Sequence, residues 1–204
     1  TVDRAYISGI TLENTSTNSS ACTLAFTDPN AARNYVNNVS IITNEFGIQS
    51  QNEEIQISNC QFSFYAPPID SHTFIALYRN IGNTFIVNNT FSGNNGLSLS
   101  TTTCIFISFD NGPSAFQSGK FMIYGNNNIG KNVVDNVLYS EATFTGTNTE
   151  FYFVDNTFTT CNGFFVFYSQ KSLEGISTMV VLYGWAGSIL QAPCILLFCM
   201  FRIM

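Results

Sequence analysis

The sequence predicts an all-β fold in which short strands stack in parallel as a solenoid. The first observation is a pattern, apolar-x-apolar-x-x-Asn-x-Phe/Ile, that recurs along the chain. The second is that two copies match beyond the pattern, Ile86–Leu99 and Phe153–Val166, at a separation that suits three repeats of roughly 22 residues. The pattern is centred on Asn44, Asn89, Asn127 and Asn156, with an altered copy at Asn59 and Cys60.

Each copy predicts the same sequence of local structures. Alternating apolar residues predict a short strand with one buried face. Asparagine tolerates a left-handed backbone and bonds to its own neighbours, so it suits the corner that follows. We therefore expect the asparagines at 44, 89, 127 and 156 to occupy equivalent corners, with their amides bonded along the stack. The alternative is that asparagine-rich loops separate ordinary antiparallel strands.

The segments before the first copy predict one further coil. Residues 7–14 alternate in the same way, and residues 15–20 are polar and predict a loop. The helix-compatible stretch Asp28–Asn34 is short, so a surface loop is expected there. In the altered copy, Asn59 stands one place early and Cys60 takes the asparagine position.

The extended copies resemble the repeats of right-handed parallel β-helix proteins, the pectin-lyase-like group. The resemblance covers roughly residues 4–168 and implies a right-handed parallel β-helix (solenoid) over residues 1–170. It implies no single activity, because that scaffold hosts lyases, hydrolases, phage tailspikes, adhesins and plain surface proteins.

Composition restricts the class of partner. Charged residues make up 10% of the 204 residues, the net charge is −6, and hydrophobic residues reach 45%. The aromatic and apolar content argues against disorder. The few lysines and arginines form no basic stripe, so a nucleic-acid partner is not expected.

The cysteines show no metal-binding pattern. None of the six belongs to a CxxC or Cys/His spacing, and no metal site is expected. Free thiols inside the coils are favoured over a disulfide framework, because the chain is long enough to form a core without cross-links.

The C-terminal segment, residues 171–204, differs from the rest of the chain. Residues 175–201 contain no charged side chain, and residues 179–201 are long enough to span a bilayer. A membrane span, an anchor tail removed on lipid attachment, a set of terminal coils and a non-native chain end all fit this composition. The structure of this segment is therefore left open, and membrane attachment through it is one expectation.

Four sequons and the chain start bear on localisation. Glycosylation is expected at Asn14, Asn18, Asn38 and Asn88 if the chain is secreted. The chain begins at Thr1 without an initiator methionine, so a processed form or a fragment is expected. These features favour a secreted or cell-surface protein.

The search for catalytic residues centres on carboxylates. The resembled enzymes act on acidic polysaccharides, and that chemistry needs converging acids, bases or calcium ligands. If this chain is an enzyme, the candidates are Asp110, Asp135, Glu150 and Asp155. The Asp-Asp and Gly-His-Gly signatures of the resembled polygalacturonases are missing from the sequence. The single histidine, His72, follows a proline-containing loop and is expected at the surface.

We therefore expect a non-catalytic extracellular or surface β-helix with a structural, adhesive or glycan-contacting role. The alternative is a polysaccharide lyase or glycoside hydrolase on the same scaffold. No cofactor is expected, and the partners considered are glycans, other surface proteins and further copies of the chain. Tyr65, Tyr78, Tyr139 and Tyr168 stand near the predicted coil ends, where core packing is favoured and stacking on a glycan is the alternative.

Overall fold

The computed structural model describes most of the chain as β-strands and the corners between them. The described residues are 4–16, 18, 21–27, 33–51, 54–64, 72–78, 82–92, 102–108, 116–117, 119–129, 136–140, 143–144, 149–157, 163–167 and 176–182. Within these ranges the protein is all-β, its strands pair in parallel, and no helix is present.

Three sheets contain almost all of the strands. Sheet I contains β1 (Arg4–Ser8), β4 (Arg33–Asn37), β7 (Ile55–Ser58), β10 (Thr84–Val87), β14 (Lys120–Tyr124), β18 (Thr149–Val154) and β20 (Ile176–Leu182). Sheet II contains β2 (Thr11–Glu13), β5 (Ser40–Thr43), β8 (Gln61–Phe64), β11 (Thr90–Ser92) and β15 (Asn127–Ile129). Sheet III contains β3 (Cys22–Phe26), β6 (Phe46–Ser50), β9 (His72–Tyr78), β12 (Thr102–Ser108), β16 (Asn136–Ser140) and β19 (Gly163–Phe167). A two-stranded sheet pairs β13 (Phe116–Gln117) with β17 (Thr143–Phe144).

The chain visits sheets I, II and III in turn, and each strand pairs with its equivalents in the preceding and following passages. We call one passage a circuit. The register keeps like positions together: Val36 pairs with Ile57, Ile57 with Ile86, Ile86 with Ile123, and Ile123 with Phe153. Because side chains alternate across a strand, in-register pairing stacks one apolar row above the next.

The core lies between the sheets and is built from these rows. Aromatic rings from successive circuits stack: the centroids of Phe121 and Phe151 lie 4.5 Å apart with planes 4° from parallel. Phe62 and Phe91 stack in sheet II at 5.0 Å, and both are fully buried. This burial of apolar area is the main favourable term in folding.

A left-handed residue ends the sheet I strand in each of six circuits. The residues with positive φ at this corner are Gly9, Asn38, Asn59, Asn88, Gly125 and Asp155. Only glycine, asparagine and aspartate stand there, which are the residues that adopt this conformation at least cost.

A buried asparagine ladder runs along the next position of the corner. The side-chain oxygen of Asn126 accepts from the backbone N–H of Asn89 at 2.9 Å, and that of Asn156 accepts from the N–H of Asn126 at 2.9 Å. Each ladder amide also donates to a backbone carbonyl of the preceding circuit, as Asn89 Nδ2 does to Ile57 at 3.0 Å. The ladder therefore satisfies polar groups that the corner buries.

The expected equivalence of four asparagines holds for two of them. Asn89 and Asn156 share the ladder position, whereas the third member is Asn126 and not Asn127. Asn127 begins β15 and pairs with Thr90. Asn44 lies at the following corner, between β5 and β6, where its Nδ2 donates to the carbonyls of Thr15 and Ser16. The structure thus corrects the placement of Asn44 and Asn127.

The C-terminal segment contributes a strand to sheet I. β20 pairs in parallel with β18, and Leu182 is in register with Val154. Part of the predicted membrane span, residues 179–182, therefore belongs to this strand, and residues 183–204 lie outside the described residues. In the described part of the chain, no helix is long and apolar enough to span a membrane.

Candidate functional site: the outer face of sheet I

The outer face of sheet I presents three in-register rows of side chains. The first row, at the strand starts, contains Arg4, Arg33, Glu54, Asn83, Lys120 and Glu150. The second contains Tyr6, Tyr35, Gln56, Phe85, Met122 and Tyr152. The third contains Ser8, Asn37, Ser58, Val87, Tyr124 and Val154. Neighbouring members of a row lie about 4.8 Å apart, the spacing of paired strands.

The second row is aromatic and accessible to solvent. Tyr6 is 69% exposed, Met122 is 36% exposed, and Tyr124 in the adjacent row is 40% exposed. Tyr35, Phe85 and Tyr152 are half-buried between their neighbours. A row of partly exposed rings on one face is a candidate surface for interaction.

A groove of 390 Å³ crosses this face at its first circuits. It is lined by Tyr6, Tyr35, Asn37, Gln56, Ser58, Asn59 and Val87. None of these side chains is charged. The lining offers two phenols, three amides and one serine hydroxyl, which are groups suited to a neutral, hydroxyl-rich ligand.

Hydrogen bonds hold the polar wall of this groove in place. Asn37 Oδ1 accepts from Ser58 Oγ at 3.1 Å and from Asn59 Nδ2 at 2.9 Å. These bonds link neighbouring circuits and fix the orientation of the Asn37 amide. A rigid wall loses little conformational entropy when a ligand binds.

Four of the five charged side chains of the first row form two ion pairs. Lys120 Nζ lies 3.1 Å from Glu150 Oε2, which also accepts from the Tyr152 hydroxyl at 3.0 Å. The bond from Lys120, followed by that from Tyr152, lowers the pKa of Glu150. The bond that each makes to Glu150 raises the pKa of Lys120 and of Tyr152. A further pair joins Arg33 Nε to Glu54 Oε1 at 3.6 Å.

The carboxylates named as catalytic candidates are not brought together where the structure describes them. Glu150 lies at the start of β18 and Asp155 at the corner after it, so their backbones are about 16 Å apart along the strand. Paired glycosidase carboxylates are closer, at about 5 to 9.5 Å. Asp110 and Asp135 lie outside the described residues.

No metal-binding cluster occurs among the residues whose positions are described: no three His, Cys, Asp or Glu side chains converge there. Cys22 and Cys60 are free thiols. Burial raises the pKa of Cys22 to about 11, and burial also raises the pKa of Cys60. Both thiols are therefore protonated at neutral pH, the form in which a thiol is a poor nucleophile.

The four sequon asparagines take up two kinds of position. Asn38 and Asn88 are exposed and share the left-handed corner, two circuits apart. Asn14 Oδ1 accepts from the N–H of Ser16 at 3.0 Å, and Asn18 is exposed in the same loop.

The aromatic residues chosen from the sequence differ from those on this face. Tyr78 is half-buried at the end of β9. Tyr65 and Tyr168 lie outside the described residues, as does the side chain of Tyr139. In the sequence, Tyr6, Tyr35 and Tyr152 occupy outward-facing positions of alternating strands. Only the strand register of the structure shows that they share one row.

Comparison with known proteins found no match to this chain among protein-family models, curated proteins or solved structures.

Proposed function

We propose that this protein is a non-catalytic, secreted or cell-surface glycan-binding protein built as a right-handed parallel β-helix of the pectin-lyase-like type. Its ligand is a neutral glycan that lies along the stack, across the outer face of sheet I. The observation that carries the proposal is the uncharged groove in which Tyr6 and Tyr35 stand in register beside Asn37 and Gln56.

The chemistry of the groove supports a neutral sugar. Phenol rings pack against the apolar faces of pyranose rings, and amides hydrogen-bond to the hydroxyls at the ring edges. Of the charged side chains beside the groove, Arg33 and Glu54 pair with each other, and Arg4 stands in register with Arg33. A uronate would meet no unpaired cation among the residues that line the groove.

The parallel sheet supports an extended ligand. Equivalent side chains recur about every 4.8 Å along the stack. A linear glycan also repeats along its length, so a chain of several sugars meets the same row more than once. Repeated weak contacts of this kind raise the total affinity without a deep pocket.

Affinity electrophoresis of the full chain in gels that contain a neutral β-glucan, xylan or mannan tests the proposal. We expect retardation in at least one neutral gel, reduced by Tyr35→Ala and retained by Tyr35→Phe, which keeps the ring. Gln61→Ala, on sheet II, is the matched control and should bind as the native chain does. Equal retardation of native protein and Tyr35→Ala would contradict the proposal.

A further inference from the structure

Asn38 begins a sequon at the corner between sheets I and II, beside the groove on sheet I. It is exposed, has a left-handed backbone with φ +54°, and is followed by Val39 and Ser40. Its neighbour Asn37 lines the groove on sheet I. The sequon therefore places an acceptor amide one residue away from the proposed binding site.

A second groove, of 250 Å³, lies at this corner, and we call it the corner groove. Its lining includes Gly9, Asn38, Ser40 and Asn59, and none of its lining side chains is charged. Asn59 also lines the groove on sheet I, so the two grooves meet at this residue. A sugar attached to Asn38 would begin in the corner groove and extend towards the groove on sheet I.

The amide of Asn38 is available for modification. Its side chain makes no hydrogen bond within the part of the chain that the structure describes. By contrast, the Asn59 amide, at the equivalent corner, donates to Asn37 Oδ1 at 2.9 Å. In the preceding circuit the N–H of Gly9 donates to the Asn38 carbonyl at 3.0 Å, and a Cβ added at Gly9 would meet no atom within 4 Å. The corner therefore has space for a sugar on that side.

We propose that Asn38 carries an N-linked glycan whose first sugars occupy the corner groove and compete with free glycan for the groove on sheet I. Attachment forms a bond between Asn38 Nδ2 and the anomeric carbon of an oligosaccharide carried on a lipid diphosphate. The bond from that carbon to the diphosphate oxygen breaks, the diphosphate leaves with the bonding electrons, and Nδ2 loses one proton. The inference rests on the proposed function, because a secreting cell supplies this donor and the groove on sheet I is the site that the glycan blocks.

The attached sugar has the chemistry that the two grooves accept. The sugars that join an N-linked glycan to asparagine are neutral and rich in hydroxyl groups, as is the ligand proposed for sheet I. A short tether gives the attached sugar an effective concentration in roughly the millimolar range. When this concentration equals its own dissociation constant, the attached sugar fills half of the sites, and free glycan binds about twofold more weakly.

Production of the full chain in two hosts tests the proposal, one a secreting cell that attaches N-linked glycans and the other a bacterium that does not. Peptide mass spectrometry should find the glycan on Asn38 of the secreted chain. In affinity electrophoresis against the neutral glycans, the secreted chain should bind at least about twofold more weakly than the bacterial chain. Circular dichroism verifies that both forms are folded.

Substitutions of the sequon hydroxyls isolate the glycan on Asn38. Ser40→Ala removes this sequon and leaves Asn38 in place, so the secreted variant should bind as the bacterial chain does. Ser40→Thr keeps the sequon and should bind as the secreted native chain does. Ser16→Ala is the matched control, because it removes the sequon at Asn14, and it should leave the weaker binding unchanged. Ser40→Ala made in the bacterium should bind as the bacterial native chain does, which excludes a direct effect of the hydroxyl.

Two results would overturn this inference alone. If the bacterial chain binds glycan and Asn38 of the secreted chain is unmodified, the sequon is not used. If the secreted native chain and secreted Ser40→Ala bind equally, with the glycan present on Asn38 of the native chain, that glycan lies outside the groove. A bacterial chain that binds none of the neutral glycans would instead contradict the proposed function, and this inference with it.

Discussion

Asn126 Oδ1 accepts two hydrogen bonds from one residue of the preceding circuit, from the backbone N–H of Asn89 at 2.9 Å and from its Nδ2 at 3.0 Å. Asn126 Nδ2 in turn donates to the Ile86 carbonyl at 2.8 Å and to Asn156 Oδ1 at 2.8 Å. One side chain thus links the circuit before it to the circuit after it. Because the residue is fully buried, water cannot replace any of these bonds.

Asn126→Ala should strongly destabilise the protein. The substitution leaves the Asn89 N–H and the Ile86 carbonyl without their side-chain partner, and we expect a loss of about 3 kcal/mol in the free energy of unfolding. Chemical denaturation followed by circular dichroism measures it. Asn127→Ala is the control and should cost much less, because the Oδ1 of Asn127 has no hydrogen-bond partner among the described residues. Equal losses would mean that the ladder adds no special stability.

Cys60→Asn should extend the ladder by one member and stabilise the protein. Cys60 is buried at the ladder position, where its N–H donates to Asn89 Oδ1 at 2.9 Å. Its thiol lies 3.7 Å from the Val36 carbonyl, a longer contact than the asparagines make. An asparagine would replace this contact with amide bonds worth about 1 kcal/mol in net stability. A melting temperature below that of the native chain would show that the site has no room for the amide.

The sequence predicts the ladder but not all of its members. Asn89 and Asn156 are each followed two places later by phenylalanine, and this pattern is sufficient to align them. Asn126 is followed two places later by Asn128, so the pattern selects its neighbour Asn127, which precedes Ile129. A run of three asparagines has three local registers of similar quality, and only pairing with the neighbouring circuits decides between them.

Which side chains are neighbours on the face of sheet I could not be predicted from the sequence, for a different reason. Lys120 and Glu150 are far apart in sequence, and neither belongs to a motif, yet the register of β14 and β18 places them side by side. The same holds for Tyr6 and Tyr35, which pair across β1 and β4. Alternation identifies which side chains face out, but the number of residues in each intervening loop determines which of them become neighbours.

Gly125→Ala should cost more stability than Gly9→Ala. Both glycines are left-handed, at φ +64° and φ +68°, so each alanine incurs a backbone penalty of about 1 to 2 kcal/mol. A methyl group at Gly125 would also clash with Asn88 Oδ1, whereas one at Gly9 would meet no atom within 4 Å. Comparison of the two unfolding free energies isolates the contact with Asn88. The reverse order would contradict this position of the Asn88 side chain.

Glu150 should titrate below the ordinary glutamate range. Its pKa is lowered by the bonds from Lys120 and then Tyr152. A lowered folded-state pKa contributes stability above the unfolded pKa, and this contribution is lost as the pH falls through the folded pKa. Carboxyl chemical shifts in NMR measure the titration. Lys120→Met should raise the pKa of Glu150, whereas Arg33→Met should leave it unchanged, since Arg33 pairs with Glu54.

The purified protein should not depolymerise uronate-containing polysaccharides, with or without calcium. Catalysis on such substrates requires preorganised cations or donors at the site where negative charge develops. On the face of sheet I, Lys120 pairs with Glu150 and Arg33 with Glu54, so two of the three cations of the first row already face a carboxylate. We expect no unsaturated products, measured by their ultraviolet absorbance, and no new reducing ends, measured by a reducing-sugar assay.

Variants of the candidate carboxylates make this last prediction decisive. If the native chain does release products, Glu150→Gln and Asp155→Ala test the carboxylates at the two ends of β18, whose separation is too large for them to act as a pair. Loss of turnover in Asp110→Ala or Asp135→Ala, with retention in Glu150→Gln, would instead identify a catalytic site away from the aromatic row. Glycan retention by the same variants would then show whether the groove lined by Tyr6 and Tyr35 binds its ligand separately from that chemistry.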